Sequence, residues 1–459
     1  MRSRATARTP ASSAFLLRLT RIPWCSRHEV ARSRPWLRAG ALRGLAVRIL
    51  HVNKFLYRRG GAEAYMEDVA ELQVAAGHRV AFFGMAHPRN THLEYAAHFP
   101  AEIEMEPPPP DVAGRLRGVG RMLWSTSASR GMDAVLADFR PDVVHLHNIY
   151  HQLSPSVLRP IARRQMAAVM TLHDYKLACP SYQFLDHGRI CEACLGGHFH
   201  HAVARRCKDG SLGSSAVLAG ELFLHTVTRA YSPVRLLICP SRFMAEKMAE
   251  ARVFPARLRH LPHFIDTRGM AVKGTPGGPA LVAGRLSPEK GVDIAIRAIG
   301  RLPGGRLEVA GTGPEEARLR RLADTAAPGR VRFLGLVPKS GVHELMLGAS
   351  VVAVPSRWYE NQPMVVLEAL ARGVPVVGSD LGGLPELVQP GLTGELVPPG
   401  DPSALATALE PFLATPDHGW AMRDRARERI GSEFSPERHL ERLTDLYAEA
   451  GAPLARAAA

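Results

Sequence analysis

Two carboxylates eight residues apart, Glu360 and Glu368, are the residues here best placed to grip a polyhydroxylated ligand. Glu360 precedes an apolar helical stretch and Glu368 lies inside it. Eight residues is just over two helical turns, so side chains at that spacing share a face. Sugar and ribose hydroxyls donate well to a carboxylate. The plainer reading is an exposed Glu360 and a helix-surface Glu368. However, Glu368 follows Val365, Val366 and Leu367, and a charge in that setting needs a partner.

Cations stand upstream. Gly284-Arg285 follows a strand-like run, and Lys290-Gly291 opens the next helical segment. Glycine lets backbone approach a phosphate, and a helix start carries partial positive charge. With Arg285 and Lys290 beside it, a diphosphate would be neutralised there. Surface cations near a turn are more often simply solvated. Gly311-Thr312-Gly313-Pro314 is a second glycine turn after a strand, which by itself reads as a tight strand-to-helix connection. Gly382-Gly383 is a third turn allowing close approach. In the first half, Gly60-Gly61 precedes a helix, and His173 ends a strand in Thr171-Leu172-His173-Asp174-Tyr175. A lone strand-end histidine is more often a structural hydrogen-bonder. His145 and His147 flank Leu146 and should share a face, which leaves them as candidates for the acceptor side.

The elements that position these residues alternate regularly. Val47 to Val52, His78 to Phe83, Asp142 to Leu146, Ala168 to Leu172 and Arg235 to Cys239 read as strands. The amphipathic stretch Ala62 to Ala76 separates the first two. After a Gly/Pro-rich segment the rhythm restarts with Ala280 to Ala283, Leu307 to Ala310, Val331 to Leu334, Val351 to Val354 and Pro375 to Val377. Helices are expected over Gly291 to Ile299 and Met364 to Ala371. Strand, turn, helix, strand builds parallel sheets covered by helices. The α/β pattern predicts two doubly wound, Rossmann-like domains, 46–270 and 280–434, joined by a linker at 271–279. A closing helix over 435–450 and a tail, 451–459, follow. Pro107 to Pro110 is expected to interrupt any helix or strand within 104–131. Ligands of such folds bind outside the carboxyl ends of the strands.

Four of the six cysteines fall at Cys179, Cys191, Cys194 and Cys207. The C-x2-C core and four thiols in under thirty residues suit tetrahedral structural zinc, with His187, His198, His200 and His201 as alternative ligands. Redox or disulfide chemistry and buried unligated thiols are the competing readings.

Taken in order, these motifs resemble the retaining glycosyltransferases of family 4, which share the GT-B fold of two Rossmann-like domains facing a central cleft. Glu360 and Glu368 match the family's E-x7-E element, and Arg285 and Lys290 its phosphate-contacting pair. Gly311 to Pro314 match its glycine-proline turn, and Gly382, Gly383 and Glu386 its distal G-G-x-x-E. The resemblance runs from about Val47 to about Ala448. It implies a donor site made of Gly60, Gly61, Gly284, Arg285, Lys290, Gly311, Gly313, Glu360, Asn361, Met364, Val365 and Glu368. In that site Glu360 and His173 meet the transferred sugar, Glu368 the ribose, and Arg285 and Lys290 the departing diphosphate. It further implies a nucleotide-diphosphate sugar donor and a glycan or lipid-linked acceptor, in surface polysaccharide or glycolipid assembly. The setting would be the cytoplasm, with peripheral contact at the inner membrane face. One departure is clear: many relatives begin the loop E-G-F-G, and here it reads Glu360-Asn361-Gln362-Pro363. No D-x-D element stands where a metal-dependent transferase needs one, so no catalytic cofactor is expected. Some bacterial relatives carry a similar cysteine-rich insertion at 179–207, in the acceptor half.

Composition narrows the classes that remain. The net charge of +15 suggests nucleic acid, but residues 1–48 hold eleven arginines against one acid, Glu29. The body is only mildly basic, so no nucleic-acid partner is expected. Residues 1–45 lack helical or strand periodicity. They read as an extension that does not fold, against a lipid-touching basic arm or a transit-type leader. Two rival functions stay open: an isomerase or hydrolase of nucleotide sugars on the same fold, and a non-catalytic nucleotide-sugar-binding scaffold.

Overall fold

The computed structural model describes residues 46–103, 105 and 109–453, so the arginine-rich extension and the last six residues lie outside the described residues. Two six-stranded sheets organise the chain. The first contains β1 (Arg48–Val52), β2 (Arg79–Phe83), β3 (Val143–Leu146), β4 (Ala167–Thr171), β7 (Leu236–Cys239) and β8 (Leu258–His260). The second contains β9 (Ala280–Ala283), β10 (Leu307–Ala310), β11 (Val331–Gly335), β12 (Val351–Val354), β13 (Val376–Ser379) and β14 (Gly394–Val397). Their orders are β2-β1-β3-β4-β7-β8 and β11-β10-β9-β12-β13-β14, with every pairing parallel. Helices cover both faces, which is why β3 and β12 are buried along their whole lengths. In each sheet the chain reverses direction across one strand pair, β1/β3 and β9/β12. The carboxyl ends there open a crevice for a ligand.

After the prolines the chain is more ordered than the composition suggests. Helices Val112–Leu123 and Thr126–Phe139 follow directly. Their starts are fixed locally: Asp111 accepts from the Gly114 N–H at 2.7 Å and Ser125 from the Ala128 N–H at 3.2 Å. The prolines end before the first cap and so cost these helices nothing. Strands β8 and β14 and a short antiparallel hairpin, β5 (Leu185–Asp186) with β6 (Arg189–Ile190), have no counterpart in the sequence reading.

The final helix, Pro436–Glu449, returns to the first sheet. Its Leu443 and Tyr447 share a buried cluster with Ile49, Val69, Val143 and Val169. Residues 271–279 have no regular structure, yet the Lys273 ammonium is buried and donates to the Gly277 and Leu347 carbonyls. No helix among the described residues is long and apolar enough to cross a membrane.

Candidate functional site

At the β9/β12 crevice three glycine turns are nested by backbone contact. Gly284 follows β9 with φ +151° and open space where a side chain would stand. A Cβ on Gly311 would lie 1.8 Å from the Gly284 carbonyl oxygen, and one on Gly313 would lie 2.3 Å from that of Leu286. The Gly311 turn therefore braces the Gly284 turn, and only Gly284 faces free space. Gly291 (φ +64°) is needed for two reasons, its left-handed backbone and a Pro355 oxygen 1.9 Å from any Cβ.

Lys290 comes off that turn and meets Glu360 at 2.7 Å. The Ser356 hydroxyl donates to the same carboxylate oxygen at 2.7 Å. Burial pushes the Glu360 carboxyl up, but Lys290 and Ser356 outweigh it and hold the group below its ordinary value. An ionised, buried carboxylate beside a cation thus sits at the end of β12. Lys290 also lies 5.0 Å from the Trp358 ring centre. Arg285 is exposed at the end of β9 and, among the described residues, has no ion-pair partner.

Glu360 and Glu368 are not held together as the helical spacing implied. The helix starts at Met364, behind Pro363, so Glu360 belongs to the loop and the face-sharing argument does not reach it. Glu368 has its own partners, Lys339 at 3.1 Å and His343 at 3.8 Å. Burial raises its carboxyl and these two neighbours more than reverse that. Met364 and Val365 form the half-buried start of the same helix.

The loop after Glu360 closes on the first sheet. Asn361 accepts from the Ser241 hydroxyl at 3.0 Å and donates to the Leu172 carbonyl at 3.2 Å, while Gln362 accepts from the His263 N–H at 2.5 Å. Gly382 and Gly383 permit this fit: their Cβ positions would lie 2.5 Å from the Glu360 oxygen and 1.9 Å from the Asn361 oxygen. They serve loop packing, not ligand approach. Glu386 caps a helix of the other half, accepting from the Arg242 N–H at 3.0 Å and the Phe243 N–H at 2.9 Å. A departure from the glycine-rich loop has thus become a set of bonds between halves.

On the opposite wall, His173 follows β4 and stands next to Leu172, so it adjoins the Asn361 bond. Burial lowers its pKa to about 3, which makes it a neutral imidazole. Gly60 precedes the helix Gly61–Ala75, and both glycines are exposed. His145 and His147 do share a face, but it is an interior one. Both are fully buried, which removes them from any acceptor surface. Among the described residues, ligand atoms of His51, His145 and His147 come within 4.8 Å of one another. His145 already spends both ring nitrogens on Tyr447 and Thr171, at 2.8 Å each, so hydrogen bonding accounts for the cluster.

Cys179, Cys191, Cys194 and Cys207 are all free thiols. Burial raises Cys194 to about 12 and Cys207 to about 11; Cys179, Cys207 and Cys191 add to the first shift, and Asp186, Cys191 and Cys179 to the second. Between Cys191 and Cys194, Glu192 accepts from the Tyr359 hydroxyl at 2.7 Å and pairs with Lys247 at 2.8 Å. The insertion therefore touches the residue preceding Glu360, a contact that sequence spacing could not reveal. A cavity of about 690 Å³ lined by Gln165, Met166 and Arg235 sits at the amino ends of β4 and β7, away from all these groups.

A family model described as glycosyl transferases group 1 matches residues 276–429, and one described as glycosyltransferase family 4 matches residues 59–268. Over 189 residues the chain is 38% identical to a D-inositol 3-phosphate glycosyltransferase of Mycolicibacterium paratuberculosis, covering 39% of this chain and 42% of that one. It is 39% identical over 167 residues to a glycogen synthase of Mycobacterium tuberculosis, covering 34% and 39%. It is 30% identical over 239 residues to the putative colanic acid biosynthesis glycosyltransferase WcaL of Salmonella typhimurium, covering 50% and 56%. The matches thus span roughly two fifths to just over half of these relatives' lengths. The fold is shared with sucrose-phosphate synthase of Thermosynechococcus elongatus (TM-score 0.65, 20% identity, 88% of this chain and 98% of that one). It is also shared with Anabaena HepE in complex with UDP and glucose (TM-score 0.62, 19% identity, 88% and 100%).

Proposed function

The chain belongs to the family 4 type of glycosyltransferases, matched by two family models that between them span residues 59–268 and 276–429, and on that premise we propose that it transfers a sugar from a nucleotide diphosphate to a glycan or lipid-linked acceptor with retention of configuration. The observation that carries this is the Lys290–Glu360 pair at the β9/β12 crevice, one residue from the Asn361 bond to the His173 strand end. Open Gly284, Arg285 and Lys290 suit a diphosphate, and their charge stabilises it as it departs. Glu360 is placed for hydroxyls of the transferred sugar, and His173 meets that sugar from the other wall. Glu368 suits the ribose, with Lys339 and His343 orienting its carboxylate. The Gly60-Gly61 helix start adds backbone donors for phosphate. No side chain here is set up as a covalent nucleophile. A same-face displacement assisted by the departing diphosphate, with the protein supplying orientation and field, fits best. Glycan assembly is favoured by the colanic-acid relative, and UDP chemistry by the fold relative bound to UDP and glucose.

The test is thermal stability against UDP-, GDP- and ADP-sugars and the free nucleotides. A ligand at a hundredfold its Kd should add about 2.7 kcal/mol. Glu360→Ala should keep the fold and lose transfer with the donor so identified. A folded protein indifferent to every nucleotide would instead favour the scaffold reading.

For the insertion we propose, from the C-x2-C spacing, a structural zinc held by Cys179, Cys191, Cys194 and Cys207, although the structure does not bring three of these thiols within 4.8 Å of one another. By fixing the Cys191–Cys194 turn it would hold Glu192 against Tyr359. Metal analysis of the purified protein should find one zinc per chain, lost in Cys191→Ser/Cys194→Ser. Absence of metal from both proteins sinks the assignment.

A further inference from the structure

The core beneath His173 holds a run of polar contacts whose direction can be worked out from one end. His439 Nδ1 lies 2.8 Å from the Pro262 carbonyl oxygen, which can only accept. That nitrogen therefore carries the proton, and the neutral ring offers Nε2 as a lone pair. Tyr65 must donate to it, at 3.1 Å. Its oxygen is then left to receive the Thr171 hydroxyl, the neighbour that opposes the burial-driven rise of the Tyr65 pKa. Having given its proton away, Thr171 accepts from His145 Nε2 at 2.8 Å, which leaves His145 Nδ1 bare. Tyr447 donates to that nitrogen at 2.8 Å and accepts the Gln73 amide N–H at 2.8 Å.

The orientation of Gln73 is now fixed, with its carbonyl oxygen 2.8 Å from His51 Nε2. His51 therefore carries its proton on Nε2 and accepts at Nδ1 from His147 Nε2, 3.0 Å away. His147 in turn accepts at Nδ1 from His173 Nε2 at 3.1 Å. The last ring, His173, is left with a bare Nδ1. That atom makes no hydrogen bond among the described residues, and the His173 ring is partly exposed beside Leu172, whose carbonyl holds Asn361.

We propose that this one-way relay, anchored on the Pro262 carbonyl, locks His173 in the tautomer that presents Nδ1 to the cleft as a hydrogen-bond acceptor. His51, His147, Gln73 and Tyr447 are positioning residues that act through His173. Burial keeps every imidazole of the run neutral, with His51 and His439 lowered to about 4 and His173 to about 3. An acceptor of this kind selects a sugar hydroxyl that donates and disfavours a donor sugar lacking it. That consequence rests on the glycosyltransferase reading, whereas the relay itself does not.

The experiment is long-range 1H–15N correlation on 15N-histidine protein at pH 7.5, with the His173 signal assigned from His173→Asn. The expected result is one tautomer, protonated at Nε2. Tyr447→Phe cuts the run between His145 and Gln73, and Thr171→Val cuts it between Tyr65 and His145. Each should give His173 a mixture of tautomers or reverse it. A wild-type His173 protonated at Nδ1, or a single Nε2–H tautomer that persists in both folded variants, overturns the relay. If either variant fails to fold, the wild-type spectrum and the other variant still decide. Because no donor is present, this outcome is independent of whether a sugar is transferred.

Discussion

Gly383 and Gly61 look alike in sequence and differ wholly in consequence. A Cβ on Gly383 would fall 1.9 Å from the Asn361 oxygen, while one on Gly61 would meet nothing within 4 Å. Gly383→Ala should therefore push the Asn361 loop away from Leu172 and Ser241, costing about 1–3 kcal/mol in urea unfolding. Gly61→Ala should leave the fold as stable or add about 0.5–1 kcal/mol, since alanine suits a helix better. If that helix start receives the donor phosphates, the same change weakens donor binding, and titration with the nucleotide sugar reads this. Both glycines were visible as motif residues. Which of them faces a ligand and which faces backbone was not, because that depends on a neighbour more than twenty residues away in sequence. The same limit applied to Glu360 and Glu368, whose separate partners lie on other elements.

Element by element, the strongly apolar runs were the legible ones. Ala280–Ala283, Leu307–Ala310, Val351–Val354 and the helix Met364–Ala371 stand where the hydrophobic pattern puts them. The weaker ones were missed for physical reasons. β8 (Leu258–His260) has only three residues and contains Arg259 and His260, and β14 begins at Gly394 and contains Glu395, so neither offers a continuous apolar run. The helices after Pro107 to Pro110 were obscured because proline's reach was overread, although Asp111 and Ser125 stand in the sequence as caps. The closing helix has a sharper role than its leucine spacing suggested: Tyr447 and His439 supply two links of the buried relay.

At the scale of the molecule, the buried histidines make acid stability a property of the whole first half. His51, His145, His147, His173, His263 and His439 all have pKa values lowered, chiefly by burial. The folded chain refuses protons that the unfolded chain takes up once pH drops below about 6.5. Stability is thus fully present above that pH and lost as pH falls toward about 4, by up to about 1.4 kcal/mol per pH unit for each imidazole. Urea midpoints should be flat from pH 7 to 8 and fall steeply between pH 6.5 and 5; an even midpoint across pH 5–8 would contradict the buried neutral rings. By itself the sequence determined the α/β alternation, the two sheets and the ordered glycine and charged motifs, since these rest on local periodicity and on residues close along the chain. Only the tertiary structure decided that Asn361, Gln362 and Glu386 join the two halves, that Glu192 reaches Tyr359, and that His145 and His147 point inward. The contacts of Asn361, Gln362, Glu386 and Glu192 pair residues 99 to 189 positions apart, and chain spacing carries no information about which distant donor will meet which acceptor.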